Sequence, residues 1–166
     1  MPSRDVLPLW DAAERYRAEG VPVVLLAGER YGMGSSRDWA AKGVALLGVR
    51  AVLAASFERI HRSNLVNMGI LPLRLPKDRH PANLNVAAGD LIEVAADPDK
   101  LVPRADIRVT LHRADGRVEE FTCKAAVETS LEVRVLLGGG IIPVILKDVL
   151  TRLQSHESPT GITTVA

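Results

Sequence analysis

The residues best suited to chemistry are concentrated in segment 32–39, which reads Gly-Met-Gly-Ser-Ser-Arg-Asp-Trp. Gly34 lets the backbone bend without a Cβ clash just before a predicted helix, whose first N–H groups carry partial positive charge. Ser35 and Ser36 add hydroxyl donors, and Arg37 adds a planar guanidinium that can hold a carboxylate or phosphate in two parallel hydrogen bonds. The pattern predicts an anion-binding turn.

Two familiar anion-binding loops do not fit this segment. A Gly-x-Gly-x-x-Gly loop needs a third glycine where Arg37 stands, and the Gly-Lys-[Ser/Thr] of a P-loop is missing here. The segment therefore disfavours nucleotide binding. A structural alternative stays open, in which the serines only cap the following helix, because serine is a common N-cap residue.

The predicted elements place this turn in a parallel α/β core. Strands are predicted over the apolar runs 21–27, 49–55 and 70–75. Helices are predicted over residues 8–19, 37–47 and 57–68, the last capped by Ser56. Strands alternating with helices imply right-handed crossovers and a parallel sheet. Ligands of such sheets bind beyond the carboxyl ends of the strands, where the turn lies.

The second half of the chain predicts antiparallel pairing and two helices. Residues 76–89 predict a surface loop and residues 91–95 a strand, and segments 106–113 and 117–123 flank an Ala-Asp-Gly turn typical of a hairpin. The remaining predictions are helices over 129–137 and 142–153, separated by a break at the glycines 138–140, and a disordered tail over 154–166. The predicted fold class is α/β, with a parallel βαβαβ core and an added antiparallel hairpin, in a single domain over residues 1–153.

Composition narrows the classes of partner and compartment. The 166 residues carry 21 Lys plus Arg against 20 Asp plus Glu, a formal charge of +1, so no global field draws the chain to nucleic acid or membrane. Cys123 is the only cysteine, which excludes a disulfide framework and a metal or iron–sulfur site built from several thiolates of this chain. With no signal-peptide pattern at the start of the chain and no apolar run long enough to span a membrane, we expect a cytoplasmic protein.

Two long blocks of sequence resemble the aconitase family. Residues 31–43, Tyr-Gly-Met-Gly-Ser-Ser-Arg-Asp-Trp-Ala-Ala-Lys-Gly, resemble its signature loop in the branch of bacterial aconitase A and the iron-regulatory proteins. Residues 56–66, Ser-Phe-Glu-Arg-Ile-His-Arg-Ser-Asn-Leu-Val, continuing through residue 73, resemble a second block at the expected distance. The resemblance runs from about Trp10 to about Leu150 and implies the C-terminal swivel domain, a β/β/α unit that closes over the active site.

The resemblance implies a reaction, and it implies which part of the enzyme supplies the cluster and which part supplies the base. The family interconverts citrate and isocitrate through cis-aconitate, using a [4Fe–4S] cluster held by three cysteines of a larger N-terminal part. Carried over by position, Ser35 matches the serine that acts as base, and Ser36 and Arg37, with Gly34 in the same loop, match the substrate-binding part. The expected partner is the set of cluster-bearing N-terminal domains, on the same polypeptide or a separate subunit. Without them we expect this chain to be inactive.

The exact substrate is left open by the resemblance. Residues 128–139 resemble the family's closing segment, but Val135 and Leu136 stand where aromatic residues are usual. The 2-methylcitrate dehydratases share the Gly-Ser-Ser-Arg-Asp-Trp loop. Split isopropylmalate isomerases, whose small subunit is a free swivel domain, resemble it less closely after Ser-Ser-Arg. A 2-methylcitrate or isopropylmalate hydro-lyase is therefore the alternative enzyme.

A non-catalytic alternative is an RNA-binding or docking module. Arg59 and Arg62 are spaced i, i+3 on a predicted helix that also carries His61 and Asn64, and the related iron-regulatory proteins grip an RNA hairpin. The competing interpretation is salt bridging or packing beneath the loop, which is the ordinary behaviour of helical charges. The low net charge and the lack of an aromatic platform favour the second interpretation.

The remaining candidates have structural interpretations. His80 and His112 stand alone without the paired spacing of metal ligands, so we expect structural or solvent-exposed roles. Cys123 lies among apolar neighbours in a predicted strand and is expected to be a small buried hydrophobe rather than a nucleophile.

Overall fold

A computed structural model describes residues 6–156 of the chain. In these residues one mixed sheet is combined with helices along its faces. The strands are β1 (Val23–Ala27), β2 (Val49–Ala54), β3 (Leu71–Arg74), β4 (Leu91–Val94), β5 (Asp106–His112) and β6 (Val118–Ala125). The helices are α1 (Leu9–Ala18), α2 (Arg37–Leu46), α3 (Arg59–Asn67), α4 (Pro81–Leu84), α5 (Ser130–Leu137) and α6 (Ile141–His156).

The sheet joins a parallel half to an antiparallel half. Its strand order is β1-β2-β3-β6-β5-β4, with β1, β2 and β3 parallel and the β3–β6, β6–β5 and β5–β4 pairs antiparallel. The predicted α/β class, the βαβαβ core and the antiparallel hairpin are all confirmed. The alternating burial of β6, and of the first half of β5, matches strands that cover a core with one face.

Two apolar clusters lie on opposite faces of the parallel strands. In β2, Leu53 belongs to the larger cluster with β5 and β6 residues, whereas Val52 and Ala54 belong to a smaller cluster with Ala41 of α2 and Leu65 of α3. This alternation follows from the two-residue period of a strand. It packs α2 and α3 side by side over the sheet, with their first turns near the carboxyl ends of β1 and β2.

The start of α3 differs from the sequence prediction. Ser56 does not cap it; Glu58 is the N-cap residue, and its side chain accepts a hydrogen bond from the His61 N–H. The Ser56 carbonyl accepts instead from the N–H of Tyr31, in an isolated parallel bridge between Tyr31 and Phe57. Since this bridge keeps the chain extended, the helix begins at Arg59 rather than 57.

Two short elements and one helix end also differ from prediction. The predicted surface loop 76–89 contains α4, where His80 caps the first turn and Leu84 is buried, and a 3₁₀ turn covers Pro98–Lys100. Helix α6 extends through residues 154–156 of the predicted tail. Residues 157–166 of that predicted tail lie outside the described residues. Among residues 6–156 no helix has the length and apolar character needed to cross a membrane.

A half-buried ion pair ties α3 to α5. Both terminal nitrogens of Arg62 donate to the Glu132 carboxylate, at 2.8 and 2.9 Å, and Nη1 also donates to the carbonyl of Ala126 at 3.0 Å. The Arg62 and Glu132 side chains are only 12% and 22% exposed. The bond from Arg62 holds the pKa of the Glu132 carboxyl below its ordinary value. Arg62 is therefore a structural cation.

Replacing Arg62 with alanine is expected to lower the free energy of unfolding by about 2–3 kcal/mol, because Glu132 and the Ala126 carbonyl lose their partner. The paired carboxylate contributes stability above its ordinary pKa of 4.5 and loses it as pH falls through its lower folded value. The loss of unfolding free energy caused by Arg62→Ala should therefore become smaller below pH 4.5. Denaturant unfolding at several pH values measures it, and the exposed Arg17→Ala, which breaks the Glu14 pair, is the control. Equal effects of the two substitutions would contradict the structural role.

Candidate active site

The segment after β1 is anchored to the segment after β2. Tyr31 donates its N–H to the Ser56 carbonyl and accepts from the Glu58 N–H, both at 2.9 Å, and the Arg30 N–H donates to the Ser56 hydroxyl at 2.8 Å. Tyr31 and Phe57 also meet edge to face, with ring centroids 6.2 Å apart. The parallel register carries Ala27 beside Ala54, so both segments leave the same edge of the sheet. The parallel pairing thus holds the turn beyond the carboxyl ends of the strands, the edge at which open α/β sheets generally bind ligands.

Gly32 brings the turn into contact with α3. Its φ is +92°, a conformation that side-chain-bearing residues rarely adopt, and a Cβ here would lie 2.1 Å from Cγ of His61. The His61 ring is 1% exposed and meets the Tyr31 ring at 72°, with centroids 5.0 Å apart. The loop therefore packs directly on a buried imidazole.

The two serine side chains are exposed to solvent and make no hydrogen bond to the first turn of α2. Ser35 and Ser36 are exposed, and Ser36 occupies the N-cap position of α2 without a side-chain hydrogen bond to the first turn. The alternative in which these hydroxyls serve as structural caps is therefore not supported by the geometry. The serine hydroxyls and the N–H groups of the first turn are available to a ligand.

Arg37 lies between the turn and the start of α3. Its Nε donates to the Gly34 carbonyl at 3.2 Å, and Nη1 lies 3.4 Å from Oε1 of Glu58. The side chain is one-third exposed. An open depression of about 360 Å³ is lined by Ser35, Ser36, Arg37, Asp38, Trp39, Ile60 and Asn64. The structure thus brings both serines and the arginine to one surface depression, next to Gly34.

Glu58 connects the two helix starts electrostatically. Its carboxylate accepts the N–H of His61 at 2.9 Å through one oxygen and faces Arg37 through the other. The His61 N–H, followed by the charge of Arg37, holds the pKa of Glu58 below its ordinary value against the opposing effect of burial. The carboxylate stays ionised and holds the Arg37 guanidinium beside the serines.

Sequence reasoning missed the site roles of Glu58 and His61. The sequence pattern places His61 among the charged residues of its helix, whereas in the structure its Nδ1 lies 3.0 Å from the Arg37 carbonyl oxygen. A signal for its burial existed, since His61 and Leu65 are spaced i, i+4 and both face the core. Arg62 follows the structural interpretation of the helix charges, because it is bound to Glu132.

A second depression collects positive side chains away from the serines. It measures about 310 Å³ and is lined by Arg74, Arg104, Lys124, Ala125, Ala126 and Glu128. Its charges are largely matched, because Arg104 donates to Glu128 at 2.7 Å and Lys124 lies 2.6 Å from Asp106. It is therefore a weaker candidate for an anion than the Ser35–Arg37 turn.

The donor set of this chain does not fit an iron–sulfur cluster. No group of three or more His, Cys, Asp and Glu side chains that could hold a metal occurs within residues 6–156. His80 and His112 each lie 3.2 Å from a glutamate, Glu29 and Glu93 respectively. Cys123 is fully buried, and burial raises the pKa of its thiol to about 12.

Cys123 is expected to resist alkylation while the chain is folded. At pH 8 a thiol with a pKa near 12 is ionised in about one molecule in ten thousand, and the side chain has no access to reagent. Mass spectrometry after iodoacetamide treatment should show an unmodified chain in buffer and a singly modified chain in denaturant. Rapid labelling in buffer would contradict the buried position.

Comparisons with known proteins agree with this geometry. Residues 1–78 match the family described as the Aconitase C-terminal domain. The chain is 45% identical over 150 residues to aconitate hydratase A of Escherichia coli, covering 90% of this chain, and 44% identical over 152 residues to that of Deinococcus radiodurans, covering 92%. The chain spans only 17% of the length of each of these relatives.

A solved structure extends the similarity to the fold. The 3-isopropylmalate dehydratase of Methanocaldococcus jannaschii superposes with a TM-score of 0.56 at 25% identity, covering 90% of this chain and 84% of that chain. Its match confirms the swivel-type α/β fold implied by the resemblance. On these findings, the chain belongs to the aconitase C-terminal domain family.

Proposed function

We propose that this chain is the swivel domain of an aconitate hydratase and supplies the proton acceptor and part of the carboxylate receptor. The observation that carries the proposal is a pair of exposed serine hydroxyls that have no hydrogen-bond partner among residues 6–156 and lie beside Arg37 in one depression. The similarity to aconitate hydratase A over nine tenths of the chain supports the reaction class.

The carboxylate receptor would be formed by side chain and backbone together. Arg37 offers a guanidinium that lies beside the Glu58 carboxylate, and Ser36 offers a hydroxyl. The N–H groups at the start of α2 add the positive end of the helix dipole. Gly34 leaves the approach to these groups open, since no atom lies within 4 Å of where its Cβ would be. Together these groups would hold one substrate carboxylate in register.

Ser35 would take the substrate proton. As an alkoxide, its oxygen forms the new O–H bond with the proton that leaves carbon, and the electron pair of that C–H bond becomes part of the C=C bond of cis-aconitate as hydroxide departs. Rehydration reverses the transfer. A serine alkoxide is accessible only when oriented donors and exclusion of water stabilise it, which the α2 terminus and a closed partner would supply.

The cluster must come from elsewhere. Proteins of the aconitase family carry a [4Fe–4S] cluster in the full enzyme, and the described residues of this chain offer no ligand set for it. We therefore infer a cluster-bearing partner, on the same polypeptide or a separate subunit, and an inactive isolated chain. A cytoplasmic location remains a prediction.

Reconstitution tests this proposal. The chain is mixed with a cluster-bearing fragment that corresponds to the part of aconitate hydratase A not covered here, and cis-aconitate formation from citrate is followed by ultraviolet absorbance. Activity is expected only in the mixture. A mixture that forms a stable complex, retains its cluster and yet remains inactive with citrate would contradict the proposal.

A second candidate is an isopropylmalate hydro-lyase, favoured by the structural similarity to 3-isopropylmalate dehydratase. The same reconstituted complex assayed with citrate, 2-methylcitrate and 3-isopropylmalate distinguishes these activities. Binding to an RNA hairpin is tested by gel shift across a salt series, because phosphate contacts weaken steeply as salt rises. We expect the highest kcat/KM with citrate and no retarded RNA band.

A further inference from the structure

The imidazole of His61 is buried beneath the proposed receptor and has one hydrogen bond. It is 1% exposed, and its Nδ1 lies 3.0 Å from the carbonyl oxygen of Arg37. Its Nε2 has no hydrogen-bond partner among residues 6–156. Sequence resemblance assigned no role to this side chain, and the proposed reaction does not use it.

We propose that His61 is a positioning residue that fixes the conformation of the receptor turn through the backbone of Arg37. It acts in the neutral Nδ1–H tautomer and donates to the Arg37 carbonyl. Its consequence for substrate binding rests on the proposed function, whereas its effect on the turn does not.

The contacts select the tautomer. A carbonyl oxygen only accepts, so the nitrogen facing it must carry the hydrogen. A hydrogen on Nε2 as well would leave a buried, unpaired N–H on a charged ring, which is costly. With Nε2 unprotonated, the ring is neutral and only a hydrogen-bond acceptor is left unpaired, which costs less. The buried ring is therefore a neutral donor aimed at one atom.

The hydrogen bond acts on a whole peptide unit. In a planar trans peptide, the C=O of Arg37 and the N–H of Asp38 point in opposite directions. Holding the carbonyl toward His61 thus aims the Asp38 N–H away from the ring, toward the open end of α2. That N–H belongs to the first turn of the helix, where a bound carboxylate would accept it.

Two further contacts of His61 constrain the position of the turn, one through its ring and one through its backbone N–H. Gly32 lies against it so closely that no Cβ fits. The backbone N–H of His61 is held by Glu58, whose other oxygen faces the Arg37 guanidinium. His61 and its N-cap residue therefore locate both the backbone and the side chain of Arg37.

Ring ¹⁵N spectroscopy of the full 166-residue chain tests the tautomer directly. The His61 spectrum is expected to show a protonated Nδ1 and an unprotonated Nε2, with a coupling that joins Nε2 only to carbon-bound hydrogens. A ring protonated on Nε2 alone would overturn the proposal, because Nδ1 could not then donate to the carbonyl.

A pair of substitutions separates positioning from packing. His61→Asn places an amide donor near the Nδ1 position, whereas His61→Gln carries its amide to the Nε2 position. Val66→Ala, a cavity-forming change further along α3 at a residue of the larger core cluster, is the control for lost stability. All three should unfold more easily. Only His61→Gln should lower the ¹⁵N order parameters of residues 35–38. It alone removes the donor to the Arg37 carbonyl oxygen, which His61→Asn replaces and Val66→Ala leaves in place.

The kinetic consequence is a change in KM. In the reconstituted complex, His61→Gln is expected to raise KM for citrate about tenfold, the effect of one misaligned hydrogen bond, with His61→Asn and Val66→Ala within about threefold of the unsubstituted chain. Equal KM values for Gln and Asn variants, with equal order in the turn, would overturn the positioning role. If the unsubstituted complex neither binds nor converts citrate, the proposed function fails, and the tautomer and order parameters still decide the role of His61.

Discussion

Replacing Ser35 with alanine is expected to lower kcat for cis-aconitate formation in the reconstituted complex by about 10²–10⁴-fold, the range associated with loss of a positioned acid–base group. Since Ser36, Arg37 and the first turn of α2 would still hold the substrate carboxylate, KM should change little. The side chain is exposed and has no hydrogen bond to another described residue, so the free energy of unfolding should be nearly unaffected. A loss confined to kcat is the signature of a proton acceptor.

Two companion substitutions make this result specific. Ser130→Ala removes an exposed hydroxyl at the start of α5 and should leave both constants unchanged. Arg37→Lys keeps the charge but loses the planar pair of donors, and should act mainly by raising KM. If Ser35→Ala retained the activity of the unsubstituted chain in a fully assembled complex, the assignment of Ser35 would be wrong.

Gly32→Ala is the second substitution with a large expected effect. Its positive φ disfavours any side chain, and the new Cβ would overlap the buried His61 ring, which has the Arg37 carbonyl and Tyr31 as further neighbours. The ring cannot move without disturbing the receptor turn. We therefore expect loss of stability together with loss of citrate turnover.

Gly116→Ala separates the two causes. Gly116 has a similar φ of +88° in the β5–β6 turn, but nothing lies within 4 Å of its Cβ position. Its substitution should lower the free energy of unfolding by roughly 1–2 kcal/mol from backbone strain alone. Gly32→Ala should cost about 1–3 kcal/mol more because of the overlap. Thermal or denaturant unfolding of both variants measures the difference, and equal losses would contradict the close packing of Gly32 on His61.

Much of the architecture followed from local patterns in the sequence. The apolar runs of β1, β2 and β3 alternate with helices that end at glycines, and this order implies a parallel sheet with the turn at its carboxyl edge. The alternating hairpin around Asp115 and Gly116 was likewise predictable. The serines and Arg37 could be placed at the start of α2, because the residues around a helix terminus largely determine where the helix begins.

The features that were missed depend on contacts between distant segments. The N-cap of α3 is Glu58 rather than the predicted Ser56, because Phe57 pairs with Tyr31 and this pairing keeps the chain extended. Tyr31 lies 26 residues before Phe57 in the sequence. His61 contacts Gly32 and Tyr31 because the segment after β1 packs over α3. Neither pairing is encoded in the residues flanking α3 alone. Residues 81–84 form a short helix in a polar segment because Leu84 is buried in the larger cluster.

The carboxylate receptor is tested most directly by a citrate titration of the ¹⁵N-labelled chain, followed through its amide shifts, with acetate as the matched control. We expect saturable shifts concentrated at residues 35–39, stronger with citrate than with acetate and lost in Arg37→Ala. Saturable shifts centred instead on Arg74, Arg104 and Lys124, or citrate shifts that persist in Arg37→Ala, would contradict a carboxylate receptor at the start of α2.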